Sequence, residues 1–416
     1  MTKIKAFRAI RPVRNKVHLV ASRAVATYKS SVLEAKLESN PYTFIHIIHP
    51  EFSEKEGEKT EPNSVERFLK VKEKYKEFCE IDILKKDENE SLYVYRQSNP
   101  KHSYLGVIGG ASIQEYKDNK IKKHEATLFS REAMFTNYLQ VVGFNAEPVL
   151  LSHKKSHELD DILAKIVEQR PEYEFATTDK MLHELWICNA EEVAQIQKAY
   201  EKIDACYIAD GHHRTASSER LCDLYKLNPD YDPKKNYNYF LSFFIDEERL
   251  NIFSFNRICK SLNGHKPSDI LKFIEKHFTI SKIKNETSPY PAKMHDISMY
   301  LDSEWYQLSL KLDTHKVESV VANIDAEILT RYILTPILGI EDLTQDENIS
   351  FLSGADCHKK IKQSIDNNVN KIGFLLYPVT MEQLKSVADN NLIMPPKSTW
   401  IEPKMRSGLT IFKIDE

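Results

Sequence analysis

Apolar and polar positions along the chain switch repeatedly between the two periods of regular structure. Short aromatic and β-branched runs predict strands at SLYVYRQ (91–97), LGVIGGAS (105–112), ELWICN (184–189), ACYIAD (205–210) and KIGFLLYP (371–378). YNYFLSFFIDEE (237–248) and LNIFSF (250–255) are expected to pair around the charged turn Asp246–Arg249, and ISMYL and WYQLSLK to form a hairpin across Asp302, Ser303 and Glu304. Longer stretches with apolar residues three and four apart predict helices at 130–141, 192–203, 212–227, 268–277, about 325–338, 358–368 and from Thr380, with Ser268 as an N-cap. In the highly charged stretch 51–90, Asn63 followed by Glu66 resembles a capping box. Val65, Phe68, Leu69, Tyr75 and Phe78 then form one apolar helix face.

The irregular alternation of strands and helices predicts an α/β class fold of mixed α+β type rather than a regular doubly wound sheet. The segment 256–267, with its Asn, Gly and Pro, is expected to be a junction between residues 1–260 and 261–416.

Composition narrows the possibilities. Apolar residues are 41% and aromatics 10% of 416 residues, enough for a core and incompatible with a disordered or collagen-like chain. The net charge of −3 gives no general attraction to nucleic acid or to an anionic membrane, so anion chemistry must come from local cations. There are only 11 glycines, and neither G-x-x-x-x-G-K-[ST] nor G-x-G-x-x-G occurs. A bound phosphate would therefore be held by some device other than the common Gly-rich loops. The six cysteines contain no C-x-x-C pair and are expected to be buried free thiols. The N-terminal MTKIKAFRAIRPVRNK is too charged for a signal peptide, and no apolar stretch approaches the roughly 18 residues of a membrane span. Cytosol is the expected compartment.

Three segments carry candidate chemistry. In ADGHHRTAS (209–217) an apolar strand ends at Asp210, Gly211 permits a sharp turn, and His212, His213 and Arg214 open a helix. A helix start presents unpaired N–H groups and a positive dipole end, and a guanidinium can grip phosphate through two nitrogens. Asp210 can hold Mg²⁺ or accept a proton; a plain polar cap would use it as a capping acceptor. Chelation of one metal by adjacent histidines is geometrically poor on a helix. IKKHEAT (121–127) offers Lys122 and Lys123 as cations and Glu125 as a general base. PPKSTWIEPKMRSG (395–408) brackets Lys397, Ser398, Thr399, Lys404 and Arg406 with prolines. Such a stiffened loop loses less entropy on closing over an anion.

Taken together, NPYTFIHIIHPE (40–51), IKKHEAT (121–127), YIADGHHRTAS (207–217), FNRICKSLNG (255–264), LTPILGIED (334–342) and IMPPKSTWIEPKMRSGL (393–409) resemble a family catalogued as a domain of unknown function. That family is related to the ParB/sulfiredoxin superfamily and its free L-serine kinases. The resemblance implies a ParB/sulfiredoxin-like core with large insertions and a C-terminal α/β extension that contributes the 394–408 anion loop. It implies a kinase making O-phospho-L-serine in serine and cysteine metabolism, with Mg²⁺ and with pyrophosphate, ADP or ATP as donor; the long form looks most like the pyrophosphate-dependent branch. By the same resemblance Asp210, His212, His213 and Arg214 match a phosphate- and metal-binding turn, with Asp210 as the metal ligand, and Glu125 is similar to the acidic base, a role that Asp210 could also take. The gap from Glu125 to Asp210 is longer than in the compact serine kinases. Lys123, Lys397, Ser398, Thr399, Lys404 and Arg406 complete the expected phosphate site. Partners are L-serine and the donor, with no nucleic acid and no membrane; oligomeric state is open. Two other classes fit part of the pattern. A metal-dependent phosphatase would use water as acceptor, and a ParB-like nucleotide switch would bind without transfer. A sulfiredoxin-like reductase would need a reactive thiol, and Cys206 lies in a buried-looking strand.

Overall fold

The computed structural model describes residues 2–54, 59–284, 288–354 and 356–416. The chain divides into two units, one of Met1–Lys122, Thr127–Leu250 and Pro403–Glu416, the other of Lys123–Ala126 and Asn251–Glu402. The fold is mixed α+β. The last fourteen residues return to the first unit, so the 394–408 loop is shared between the two units.

The first unit is built on a nine-stranded sheet. From one edge its strands run Ile121–Lys122, Cys206–Asp210, Val149–His153, Tyr239–Asp246, Ser103–Ser112, Tyr93–Ser98, Leu182–Ile187 and Tyr173–Ala176, with Ile4–Lys5 also pairing with Ser103–Ser112. Two pairings are parallel, Cys206–Asp210 with Ile121–Lys122 and Tyr239–Asp246 with Val149–His153. One sheet face is closed by Leu159, Leu163, Val193 and Ile196 from the helices His157–Val167 and Ala190–Tyr200. A second core gathers Phe44, Phe68, Val71, Phe78, Val142 and Phe144 around the helices Val65–Glu80 and Phe129–Val142.

The second unit carries a six-stranded, wholly antiparallel sheet ordered Phe278–Lys282, Glu304–Leu310, Asp296–Leu301, Ile372–Leu376, Asn256–Cys259 and Ile349–Leu352. The helix Cys357–Asp366 lies so close to it that a Cβ built on Gly373 would sit 2.4 Å from Ile361 Cγ2. Only glycine permits that approach. A separate ribbon pairs Asn251–Ser254 with Thr399–Glu402.

Most helices fall where the periodicity puts them, and the exceptions have local causes. Residues 256–259 form a buried strand paired on both sides, not a junction. Asn251–Ser254 does not pair with Tyr239–Asp246, because both edges of that strand are already used inside the first sheet. There the Asp246 carboxylate accepts from Glu248 N at 2.8 Å and turns the chain out through a short 3₁₀ segment. Ser64, not Asn63, caps the helix Val65–Glu80, accepting from Arg67 N. On that helix Val65 and Leu69 are exposed, and Phe68, Val71 and Phe78 are buried. Pro267 rather than Ser268 opens the helix ending at Ile274. The predicted helix over 325–338 is an α-turn, Asp325–Leu329, followed by a π-turn, Thr330–Leu334. All six cysteines are free, five of them buried. No described helix is long and apolar enough to cross a membrane.

Candidate functional site

The strand Cys206–Asp210 is held by the burial of Cys206, Ile208 and Ala209. Its pairing with Val149–His153 shifts register between Ile208 and Asp210, a bulge that bends the strand just before the turn. Gly211 follows with φ +103°, and a Cβ there would lie 3.2 Å from Val149 Cγ2 and 3.3 Å from Arg214 Cζ. Both the backbone angle and the space demand glycine. The helix His212–Lys226 begins at once, so its unpaired N–H groups and positive dipole end lie at the strand terminus. Small residues on its inner side let it sit close to Phe129–Val142, where Thr136 Oγ1 donates to Ser217 O at 3.3 Å.

Asp210 stands between two cations. Its Oδ2 is 3.3 Å from Lys404 Nζ and 3.8 Å from Arg214 Nη2. Arg214 is braced as well as charged: its Nη1 donates to the carbonyls of Glu147 at 3.0 Å and Pro148 at 2.7 Å, with Glu147 Oε1 at 3.6 Å. The Lys404 backbone is held in turn by Gln97 Nε2, which donates to its carbonyl at 3.2 Å. Two segments almost two hundred residues apart, at the turn and at the C-terminus, thus meet at one carboxylate. His212 is buried and His213 half-buried in the first helical turn.

Arg406 has other company. It is buried and donates to Asp179 Oδ2 at 2.6 Å and Thr177 Oγ1 at 3.2 Å, and Arg23 approaches the same carboxylate at 3.7 Å. Burial would raise the Asp179 carboxyl, but the Thr177 hydroxyl and the Arg406 charge outweigh it and hold the group below the usual range. Nearby His183 is pushed down to about 3 by burial and by the Arg406 charge, so its imidazole is neutral.

Arg214 also forms part of a cavity of about 390 Å³ in the first unit. Its walls are mostly apolar, with Phe44, Phe68, Phe135, Tyr138 and Phe144, and its polar groups include Arg67, Glu51, Ser217 and Asn145. Glu51 is paired with His49 Nδ1 at 3.1 Å and Arg67 Nη1 at 3.6 Å. Its Oε2 is buried without a hydrogen-bond partner among the described residues. A buried carboxylate oxygen without a donor is costly. Sequence reasoning missed Glu51. The available signal was a His and a Glu flanking Pro50 at a 3₁₀ turn, within a segment already quoted for the family resemblance.

The second unit holds Lys123, Glu125, Lys397, Ser398 and Thr399. Lys123 and Glu125 lie in a non-helical link whose His124 carbonyl accepts from Met394 N at 2.9 Å. Lys397 is exposed and has φ +57°, a left-handed conformation unusual for lysine, at the tip of a Pro-Pro turn. Its ammonium lies 5.2 Å above the Phe255 ring. Ser398 is buried and donates to Pro395 O at 2.7 Å, and Thr399 pairs with Ser254 in the ribbon. Five expected site residues therefore belong to the second unit and six to the first.

The DUF1015 family, described as a protein of unknown function, matches residues 4–327. The chain belongs to the DUF1015 family. Among solved structures, similarity extends to SbnI with a C-terminal truncation from Staphylococcus aureus, 11% identical over 73% of this chain and 87% of that one, TM-score 0.40. A free serine kinase in complex with AMP is 11% identical over 74% and 91%, TM-score 0.35. A conserved hypothetical protein from Pyrococcus furiosus is 11% identical over 73% and 95%, TM-score 0.34. No curated protein sequence matches the chain.

As to a metal, no group of three or more His, Cys, Asp or Glu side chains is placed to hold one among the described residues. Asp210 is a single carboxylate. It is already paired with two cations, so a divalent ion there would have to be carried chiefly by phosphate oxygens.

Proposed function

We propose that this protein is a phosphotransferase that moves a phosphoryl group from pyrophosphate to the hydroxyl of free L-serine, giving O-phospho-L-serine and phosphate. The observation that carries the reading is the placement of Asp210, Lys404 and Arg214 together at the start of the helix His212–Lys226. Phosphoryl transfer asks a protein mainly for positioning and for neutralisation of charge. A helix start, two cations and two imidazoles supply both for a small polyanion. Asp210 is the residue that would hold Mg²⁺ on the donor, and that ion, when bound, supplies charge neutralisation at the phosphate oxygens.

In this reading L-serine occupies the polar end of the cavity. Arg67 meets its carboxylate, and the buried Oε2 of Glu51 accepts the hydroxyl proton as the oxygen–phosphorus bond forms. Glu51 takes this role in preference to Glu125 because it shares its cavity with Arg214. The aromatic walls favour a second donor. Five aromatic rings around about 390 Å³ suit a purine, which would make ADP or ATP the phosphoryl source.

The deciding experiment incubates the full chain with L-serine and Mg²⁺ against pyrophosphate, ADP and ATP in parallel and reads phosphoserine by mass spectrometry. Serine-dependent product with pyrophosphate is expected. Phosphate release of equal rate without serine would make the protein a phosphatase, and nucleotide binding without transfer would make it a switch.

A further inference from the structure

Arg257 lies on the strand Asn256–Cys259, one strand in from the edge of the second unit's sheet, and is fully buried. Buried guanidinium groups are ordinarily paired with carboxylates, because removing an unpaired charge from water is expensive. Arg257 has no such partner among the described residues. Its Nη1 donates to the Phe255 carbonyl and its guanidinium lies 5.1 Å from the centre of the Phe351 ring. Nε and Nη2 find no acceptor. Burial pushes the group down to about 9, still protonated at neutral pH.

The two nitrogens without acceptors form one edge of the guanidinium, and this protein shows what that edge is made for. In Arg96 the same pair grips Glu184, Nε to Oε2 and Nη2 to Oε1, both at 2.6 Å. Phe255 is also contacted by a second cation. Lys397, held exposed on its strained turn, lies 5.2 Å over the Phe255 ring, the residue whose carbonyl Arg257 binds. Trp400 closes on that ring edge-on at 5.6 Å. Arg257 and Lys397 are thus linked through the rings of Phe351 and Phe255, and no carboxylate is bound to either cation among the described residues.

We propose that Arg257 is the floor of an oxyanion site in the second unit, its Nε–Nη2 edge taking two oxygens of one phosphate or carboxylate group, with Lys397 at the exposed side. The inference rests on the proposed phosphotransfer only for the identity of the anion, either a phosphate of donor or product or the carboxylate of serine.

The test measures thermal unfolding and calorimetric binding of the full chain with pyrophosphate, inorganic phosphate and L-serine, in the natural protein and in Arg257→Met. Methionine fills similar space without charge. The expected result is an anion-free Tm that is unchanged or higher in the variant, with affinity for one of the three probes weakened at least ~10-fold, the loss of a two-point charged contact. The probe affected identifies the source of the oxyanion. A lower anion-free Tm with all three affinities within about twofold of the natural protein assigns Arg257 a purely structural role and overturns the proposal. Should Arg257→Met not fold, Arg257→Lys keeps the charge without the fork; equal loss of affinity supports the site and an unchanged affinity overturns it. Arg257-dependent binding with no phosphoserine formed would remove the proposed activity and leave this site standing.

Discussion

Arg214→Ala separates two roles that the sequence could not distinguish. The side chain is 21% exposed and its Nη1 holds two backbone carbonyls, at 3.0 and 2.7 Å, ahead of the strand Val149–His153. Removing it leaves both carbonyls without that donor and takes one of two cations from Asp210. A hydrogen bond from a charged donor is worth about 1.5–3 kcal/mol. Water from the adjoining cavity can recover part of that, so a net loss of about 2–3 kcal/mol is expected. For a unit of this size that corresponds to a fall in Tm of roughly 5–10 °C. Stability and turnover are therefore both expected to fall. The assay pairs a thermal melt with phosphoserine formation across pyrophosphate concentrations, and Arg214→Lys serves as the charge-retaining control. Lysine should recover affinity for the donor more than it recovers Tm, because it cannot serve two carbonyls and Asp210 together. An alanine variant with unchanged Tm would refute the brace, and one with lower Tm but full turnover would remove Arg214 from the anion site.

Three further outcomes follow from the same geometry. Glu51→Gln should lower turnover by about 10²–10⁴-fold, the range for a lost general base, while Glu125→Gln loses far less; the reverse order in a phosphoserine assay returns the role to Glu125. His183 is held neutral with a native pKa of about 3 against an ordinary 6.5, so the unfolded chain alone gains a proton between those values. Its contribution is complete above pH 6.5 and declines as pH falls toward 3, and His183→Gln should flatten the acid limb of a stability–pH curve measured by denaturant melts. Gly373→Ala places a methyl 2.4 Å from Ile361 Cγ2 and should destabilise the second unit by about 1–3 kcal/mol; an unchanged melt would mean the helix Cys357–Asp366 can retreat from the sheet.

Much of the local structure was legible in advance for physical reasons. The helix His212–Lys226 and the strand before it were visible because an apolar run, a glycine and a polar helix start occur in unbroken order. The helix start at Thr380 was equally plain, and there Thr380 and Gln383 form a capping box. Pairing was not legible. The runs 237–248 and 250–255 look like a hairpin because they are adjacent and apolar, yet each takes partners far away in sequence. Strand partners are chosen by which edges remain unfilled, a property of the assembled sheet.

The candidate site divides along the same line. Residue types and spacing by themselves marked the turn at 210–214 and the cations at 404 and 406 as anion chemistry, since helix starts, guanidinium groups and ammonium groups carry their charge wherever they lie. Tertiary structure alone decided that Lys404 meets Asp210 while Arg406 is claimed by Asp179, that Arg214 spends one nitrogen on two carbonyls, and that Oε2 of Glu51 and Nε and Nη2 of Arg257 are buried without hydrogen-bond partners among the described residues. Charge is written into a residue, but burial and partnership belong to its surroundings, and those exist only once distant segments have packed.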